Sequence, residues 1–177
     1  MNIDKVKEIL NDENKIREYV NDFIGSFEER TFVLEIPGEP ENYVRERVVR
    51  GNHAYNPKKK KMQEFNKIVW DALNKEDQNY LTDLLNPDNH FNYEVSLSFM
   101  FYVPTQKGSS IKDAVKKELQ MIVPTTTPDC DNFIKFDLDA LHGIFYDNDS
   151  KVTDVYGAKR YSINPRTSIS CTIRKFK

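Results

Sequence analysis

Between Pro128 and Val152 the chain reads PDCDNFIKFDLDALHGIFYDNDSKV. Those 25 residues hold Asp129, Asp131, Asp137, Asp139, Asp147 and Asp149 against only Lys135 and Lys151. Six carboxylates this dense repel one another once the segment folds, so a compact arrangement must separate them or give them a shared cation. Oxygen-only donors suit a hard ion such as Mg²⁺. A metal at a carboxylate cluster points to phosphate chemistry.

The rest of the chain supplies the opposite charge. The net charge of -2 conceals a segregation of signs. Tyr43 to Lys67 carries Arg45, Arg47, Arg50, Lys58, Lys59, Lys60, Lys61 and Lys67 against Glu46 and Glu64. A basic arm beside an acidic metal cluster is what a nuclease needs, one part to hold phosphates and another to cut. Arg45, Arg47, Arg50 and Lys58 to Lys61 are the candidate DNA contacts, although a lysine run is more commonly a solvated face. At 177 residues, 38% of them hydrophobic, the chain suits one domain with a modest, aromatic-rich core. Cys130 and Cys171 give no disulfide framework and read as free thiols. The N-terminus lacks an apolar signal core and no run reaches transmembrane length, so a cytoplasmic protein with no membrane partner is expected.

Hydrophobic periodicity orders the elements. Ile3, Val6, Ile9, Leu10, Ile16, Val20, Phe23, Ile24 and Phe27 recur at helical steps and predict one N-terminal helix, read as a packing helix. Thr31 to Ile36 predicts a strand, with Val44 to Val49 pairing to it and Gly51-Asn52 as a turn. Asn56 as cap and Pro57 at the first helical position predict a helix with Phe65, Ile68, Val69, Ala72 and Leu73 inward. Its lysine run lies where the helix dipole disfavours cations, which fits a run kept for an external anion. A short helix over Glu76 to Leu85 follows. Tyr93 to Val103 alternates as a strand and then turns apolar on both faces. Lys107 to Gln120 reads as a loop with a helix. Asp131 to His142 predicts a helix stopped by Gly143, with Ile134, Leu138 and Leu141 inward and Phe133 and Ala140 beside them. Val152 to Tyr161 and Thr167 to Ile173 predict two more strands.

Within the aspartate segment, Asp129 and Asp131 fall at a helix N-terminus, where free N–H groups and the dipole favour negative charge. Lys135 lies one turn along, and Asp149 returns through a short turn to the same mouth. Three oxygen donors and one cation suit Mg²⁺-assisted phosphodiester hydrolysis, with Lys135 stabilising the developing charge. Asp137 is read as surface. Each feature also has a plain structural reading: Asp129 as an ordinary cap, Asp131–Lys135 as an exposed i,i+4 pair worth about 0.3–0.5 kcal/mol, and Asp147-Asn148-Asp149-Ser150 as a turn. Their clustering around one helix favours a site. A calcium loop fails for want of a glycine at its sixth position, and His53, His90 and His142 have no zinc-ligand spacing.

The pattern P-D-x-D-N-x-x-K-x-x-x-D-x-L-x-G followed by Y-x-x-D-S-x-V is carried by Pro128, Asp129, Asp131, Asn132, Lys135, Asp139, Leu141, Gly143, Tyr146, Asp149, Ser150 and Val152. It resembles the signature of the RusA-type Holliday junction resolvases, common in phage and prophage genomes. Ile36 to Pro40, Arg45 to Arg50 and Ala54 to Lys61 resemble that family's first strand, basic arm and helix start. The resemblance implies an α+β fold, a small mixed β-sheet packed against helices over residues 31–177, with residues 1–30 an added N-terminal helical extension. It implies a homodimeric endodeoxyribonuclease using Mg²⁺, or Mn²⁺ in its place, to make paired nicks across branched DNA. It carries the metal ligands to Asp129, Asp131 and Asp149, the catalytic lysine to Lys135, and supporting roles to Asn132 and Asp139. Asn148-Asp149 replaces the family's usual aspartate pair, so a register slip would exchange Asp149 for Asp147. Glu46 interrupts a thinned basic arm. Two rival readings remain open: a PD-(D/E)xK nuclease using Lys151, which needs Asp149 on a central strand, and a non-catalytic DNA-binding or replication-accessory protein on the same fold.

Overall fold

Tyr93 to Pro104 is the strand around which the core is built. Its odd-numbered side chains from Tyr93 to Phe101 are buried, whereas Ser96, Ser98 and Met100 face the other way. The computed structural model describes residues 2–45, 47–49 and 53–177, with the backbone alone for 47–49, 53 and 54. In chain order the elements are α1 (Ile3–Leu10), α2 (Glu13–Ile24), β1 (Phe27–Pro37), β2 (Arg47–Val49), β3 (His53–Tyr55), α3 (Lys59–Ala72), α4 (Lys75–Leu84), β4 (Tyr93–Pro104), α5 (Ile111–Glu118), α6 (Cys130–Leu141), a 3₁₀ turn (Asp149–Lys151), β5 (Val152–Ser162) and β6 (Arg166–Phe176).

Four strands form a mixed sheet in the order β1-β6-β4-β5. β6 pairs antiparallel with both β1 and β4, and β5 lies parallel to β4 at the edge. A parallel pair needs a crossover, and α6 supplies it, running back along the sheet before β5 begins. The expected α+β architecture with a small mixed sheet is what the chain adopts. One sheet face meets α3, α4 and α6 through Val69, Leu81, Phe133 and Leu141. The opposite face carries Ser96, Ser98, Ser170 and Thr172 and stays open.

Two contacts set α6 on the sheet. Phe133 stacks on Phe101 of β4 at 5.1 Å between centroids, and Phe101 stacks on Phe99 at 5.7 Å; such pairs add about 0.5–1.5 kcal/mol beyond their burial. Gly157 of β5 lies directly under α6. A Cβ there would stand 2.5 Å from Ile134 Cδ1, so any larger residue would force the Ile134 side chain to shift. At the far end Gly143 takes φ +81° and turns the chain out of the helix, as its position in the sequence predicted.

Several expectations are corrected. The N-terminal helix is two helices, broken at Asn11-Asp12, where Asp12 caps the second through Asn14 and Lys15 N–H. Neither helix buries a residue, so the pair does not pack into the core; Leu10, Val20, Phe23 and Ile24 are exposed. Among the described residues only the ring of Phe23, 5.3 Å from Phe27 and 6.2 Å from Phe176, links α2 to the sheet corner through an aromatic contact. β1 begins at Phe27, before the strand start expected at Thr31. β2 pairs with β3, not with β1, and the anticipated Gly51-Asn52 turn lies outside the described residues. Asn56 does not cap α3; its side chain accepts from Lys58 N–H and the helix starts two residues later than Pro57 would place it.

Asp137 is the largest departure on α6. It is 1% exposed, not on the surface, and the buried face is Phe133, Phe136, Asp137, Ala140 and Leu141. Ile134 and Leu138 are only half-buried. The rotation follows from the second neighbour: Phe136 packs edge-on to Phe65 of α3 at 5.8 Å, and Asn66 of α3 donates to Ala140 O.

Candidate active site

Asp129 holds the N-cap position of α6 with extended backbone, yet its carboxylate makes no capping hydrogen bond. Asp131 lies in the first turn and Lys135 in the second, all three exposed. The loop leading to Asp129 is anchored by Lys159 of β5, whose ammonium donates to Thr126 O at 2.6 Å and Pro128 O at 2.9 Å. Sequence reasoning missed Lys159, whose only signal was a cation on the strand facing the helix. A groove of about 470 Å³ runs beside this helix start, bounded by Phe133, Tyr161, Glu41, Lys61 and Pro128.

Asp149 opens the 3₁₀ turn before β5, with Asn148 capping that turn through Ser150 N–H. Its neighbour Asp147 is engaged: Tyr93 OH donates to Asp147 Oδ1 at 2.6 Å, and Asp147 N–H donates to the same hydroxyl oxygen at 3.2 Å. Burial, then the hydrogen bond to this carboxylate, pushes the Tyr93 hydroxyl well up. Asp147 therefore ties the loop to the start of β4, while the Asp149 carboxylate has no hydrogen-bond or ion-pair partner among the described residues. Lys151 stands 4.8 Å over the Tyr93 ring. Asp149 sits in a turn before an edge strand, so the central-strand geometry that a PD-(D/E)xK site requires is not met.

Desolvation raises the Asp139 carboxyl above its ordinary value; Asp149 adds to the rise, and Lys135 and His142 oppose it. Tyr146 lies in the same field. Burial foremost, with Asp149 and Asp139, raises its hydroxyl, which donates to Leu138 O at 2.6 Å. The fold thus brings Asp139, Lys135 and Asp149 into one electrostatic neighbourhood. It does not close Asp129, Asp131 and Asp149 into a cage: among the described residues no group of three His, Cys, Asp or Glu side chains is gathered tightly enough to hold a metal. The donor chemistry still suits Mg²⁺, which keeps several waters and needs only one or two carboxylates besides substrate phosphate. Asp129, Asp131 and Asp149 are all carboxylates without protein partners among the described residues.

The basic arm is only partly free. Glu41 accepts hydrogen bonds from both Lys58 and Lys61, and these outweigh burial to hold its carboxyl below the usual range. Lys60 stands 3.7 Å from Glu64, one turn on. Arg45 is exposed, and Arg50 lies outside the described residues, as does the side chain of Arg47. Asn132 contributes its backbone: its carbonyl accepts from Tyr43 N–H at 2.7 Å, which docks the arm's root on α6.

The chain matches the family Endodeoxyribonuclease RusA over residues 37–172, and it belongs to that family. It is also 36% identical over 85 residues to the uncharacterized protein YqaN of Bacillus subtilis (strain 168), a stretch that covers 47% of this chain and 60% of that protein. Both helices of the N-terminal pair fall outside the family match. Among the described residues no helix is long and apolar enough to cross a membrane.

Proposed function

We propose that the chain is a divalent-metal-dependent endonuclease that resolves four-way DNA junctions by paired phosphodiester hydrolysis, acting as a homodimer. The observation that carries this reading is Asp129, an N-cap residue whose carboxylate caps nothing at the head of the helix that bears Asp131 and Lys135. An ordinary cap would use that side chain on the N2 or N3 N–H. Asp129, Asp131 and Asp149 would hold Mg²⁺, or Mn²⁺, which supplies a bound water of lowered pKa and neutralises charge on the phosphoryl oxygens.

The chain's own residues supply the rest. Lys135, two turns into α6, presents an ammonium to the negative charge that grows on the phosphoryl group. The free N–H groups at the head of α6 favour an anion in the same place. Asp139, its carboxyl raised by desolvation and by Asp149, lines the same helix face one turn beyond Lys135. Arg45, Arg47 and Arg50, with Lys59 and Lys60, hold the flanking phosphates. Lys58 and Lys61 join them only when released from Glu41. Two symmetric nicks on a two-fold junction call for two symmetric sites, which a homodimer provides.

The test is a synthetic four-way junction carrying distinct labels on opposing strands, incubated with Mg²⁺. Nicks at symmetric positions in both labelled strands support the reading. Cutting of linear duplex at the same rate leaves a nuclease without junction selectivity, and binding without any cutting leaves the non-catalytic alternative.

A further inference from the structure

Lys135 has Asp131 four residues before it and Asp139 four residues after it on one face of α6. A lysine so placed ordinarily pairs with one of them, gaining about 0.3–0.5 kcal/mol. Here the described ion pairs include no partner for Lys135. Its ammonium instead stands 4.0 Å from the centroid of the Tyr43 ring. A ring holds a cation through its quadrupole and leaves the positive charge intact, at a gain of about 0.5–1 kcal/mol at an exposed site.

The ring is itself held in place. Tyr43 N–H donates to Asn132 O at 2.7 Å, one turn before Lys135. Two residues earlier Glu41 accepts from Lys58 and Lys61 at the head of α3, and Asn42 Oδ1 accepts from Lys58 at 3.4 Å. At the other end of this strap Gly38 N–H donates to Pro165 O at 3.0 Å. Residues 38–43 thus bridge the basic helix and the aspartate-bearing helix, and the strap ends with an aromatic face under the one lysine of the motif.

We propose that Tyr43 is a positioning residue for Lys135. It keeps the ammonium out of ion pairs with Asp131 and Asp139, leaving the carboxylates free for a cation and the lysine free for a scissile phosphate. The catalytic consequence rests on the nuclease reading above; the contact does not. The full chain is compared with Tyr43→Phe, which keeps the ring, and Tyr43→Leu, which removes it while keeping the backbone donor to Asn132.

Two readouts decide. In proton NMR the Lys135 ε-methylene, assigned by its loss in Lys135→Met, shows an upfield ring-current displacement that Tyr43→Phe retains and Tyr43→Leu abolishes. In junction cleavage Tyr43→Leu lowers kcat about tenfold with KM little changed, and Tyr43→Phe stays near wild type. A displacement that survives in Tyr43→Leu overturns the contact. A lost displacement with unchanged kcat overturns the positioning role, as does a Phe variant no better than Leu. If the wild type cuts no DNA, the nuclease reading fails and the NMR comparison alone judges the contact.

Discussion

Asp137 offers a direct test of how the aspartate-bearing helix is held. The residue is 1% exposed, its Oδ2 has no hydrogen-bond partner, and burial pushes its carboxyl well above the usual 3.8. Leaving a polar group buried and unpaired costs about 1–3 kcal/mol by mutational measures. Asp137→Ala removes the group and improves helix propensity by up to about 0.7 kcal/mol, against a packing loss near 1 kcal/mol for the few atoms deleted. Where the carboxyl is protonated in both states the expected balance is a stabilisation of about 1–2 kcal/mol, or a rise of roughly 2–8 °C in Tm for a chain of this size.

The pH dependence has a definite sign. Below the unfolded carboxyl's value both states hold the proton and no ionic penalty exists. Above it the unfolded chain ionises while the buried carboxyl does not. Wild-type stability then falls by about 1.4 kcal/mol per pH unit, relative to Asp137→Ala, until the raised folded value is reached. Asp137→Asn cannot ionise and loses the slope while keeping an unpaired polar group. Urea denaturation at pH 5 and pH 7.5, followed by the fluorescence of the single tryptophan, Trp70, measures all three chains. A destabilised Asp137→Ala, or a gap between it and wild type that does not widen with pH, refutes the reasoning.

Three further outcomes are expected. Gly157→Ala drives a Cβ to 2.5 Å from Ile134 Cδ1 and 2.7 Å from Cγ1; it costs about 1–3 kcal/mol in thermal unfolding, part of which Ile134→Ala restores in the double variant. Asp147→Ala removes the side-chain acceptor of Tyr93 OH and lowers stability by about 1 kcal/mol, whereas Asp149→Asn leaves stability within about 0.5 kcal/mol and abolishes Mg²⁺-dependent cutting; equal losses of activity with unchanged melting curves would contradict that division. Glu41→Gln frees Lys58 and Lys61, so DNA binding read by anisotropy tightens at low salt and its salt slope steepens by roughly one or two; an unchanged slope means the two lysines do not reach phosphate.

What the sequence made legible follows from how local each signal is. β4 was readable because its alternation extends over a whole strand, and α6 because Asp129 and Gly143 bracket it, so the expected Asp131–His142 lies within one residue of the observed Cys130–Leu141 at each end. The inward placement of Asp137 was not. A carboxylate at 137 reads as solvent-facing by type, and only the packing of Phe136 on Phe65 and of Ile134 over Gly157 turns it inward. Likewise a run of four lysines shows its charge in sequence but not Glu41, which lies 17 and 20 residues before the two it holds. The apolar stripe from Ile3 to Phe27 announced helical structure but not the break at Asn11-Asp12 or the strand that takes Phe27. Periodicity says which side is apolar, not whether anything in the same chain covers it, and among the described residues nothing buries it. At the site itself the motif marked Asp129, Asp131, Lys135 and Asp149, while Tyr43, Tyr93 and Lys159 came from other elements and carried no spacing that would single them out.

The central claim is that the aspartates at the head of α6 make this chain a metal-dependent nuclease for branched DNA. It is tested most directly by incubating a four-way junction with wild type and with Asp131→Asn, each with Mg²⁺ and with EDTA. Cleavage by the wild type in Mg²⁺ alone, lost in Asp131→Asn while junction binding persists, is the predicted result. Cutting that survives EDTA or the Asp131→Asn substitution, or junction binding by wild type with no cutting in Mg²⁺, contradicts it.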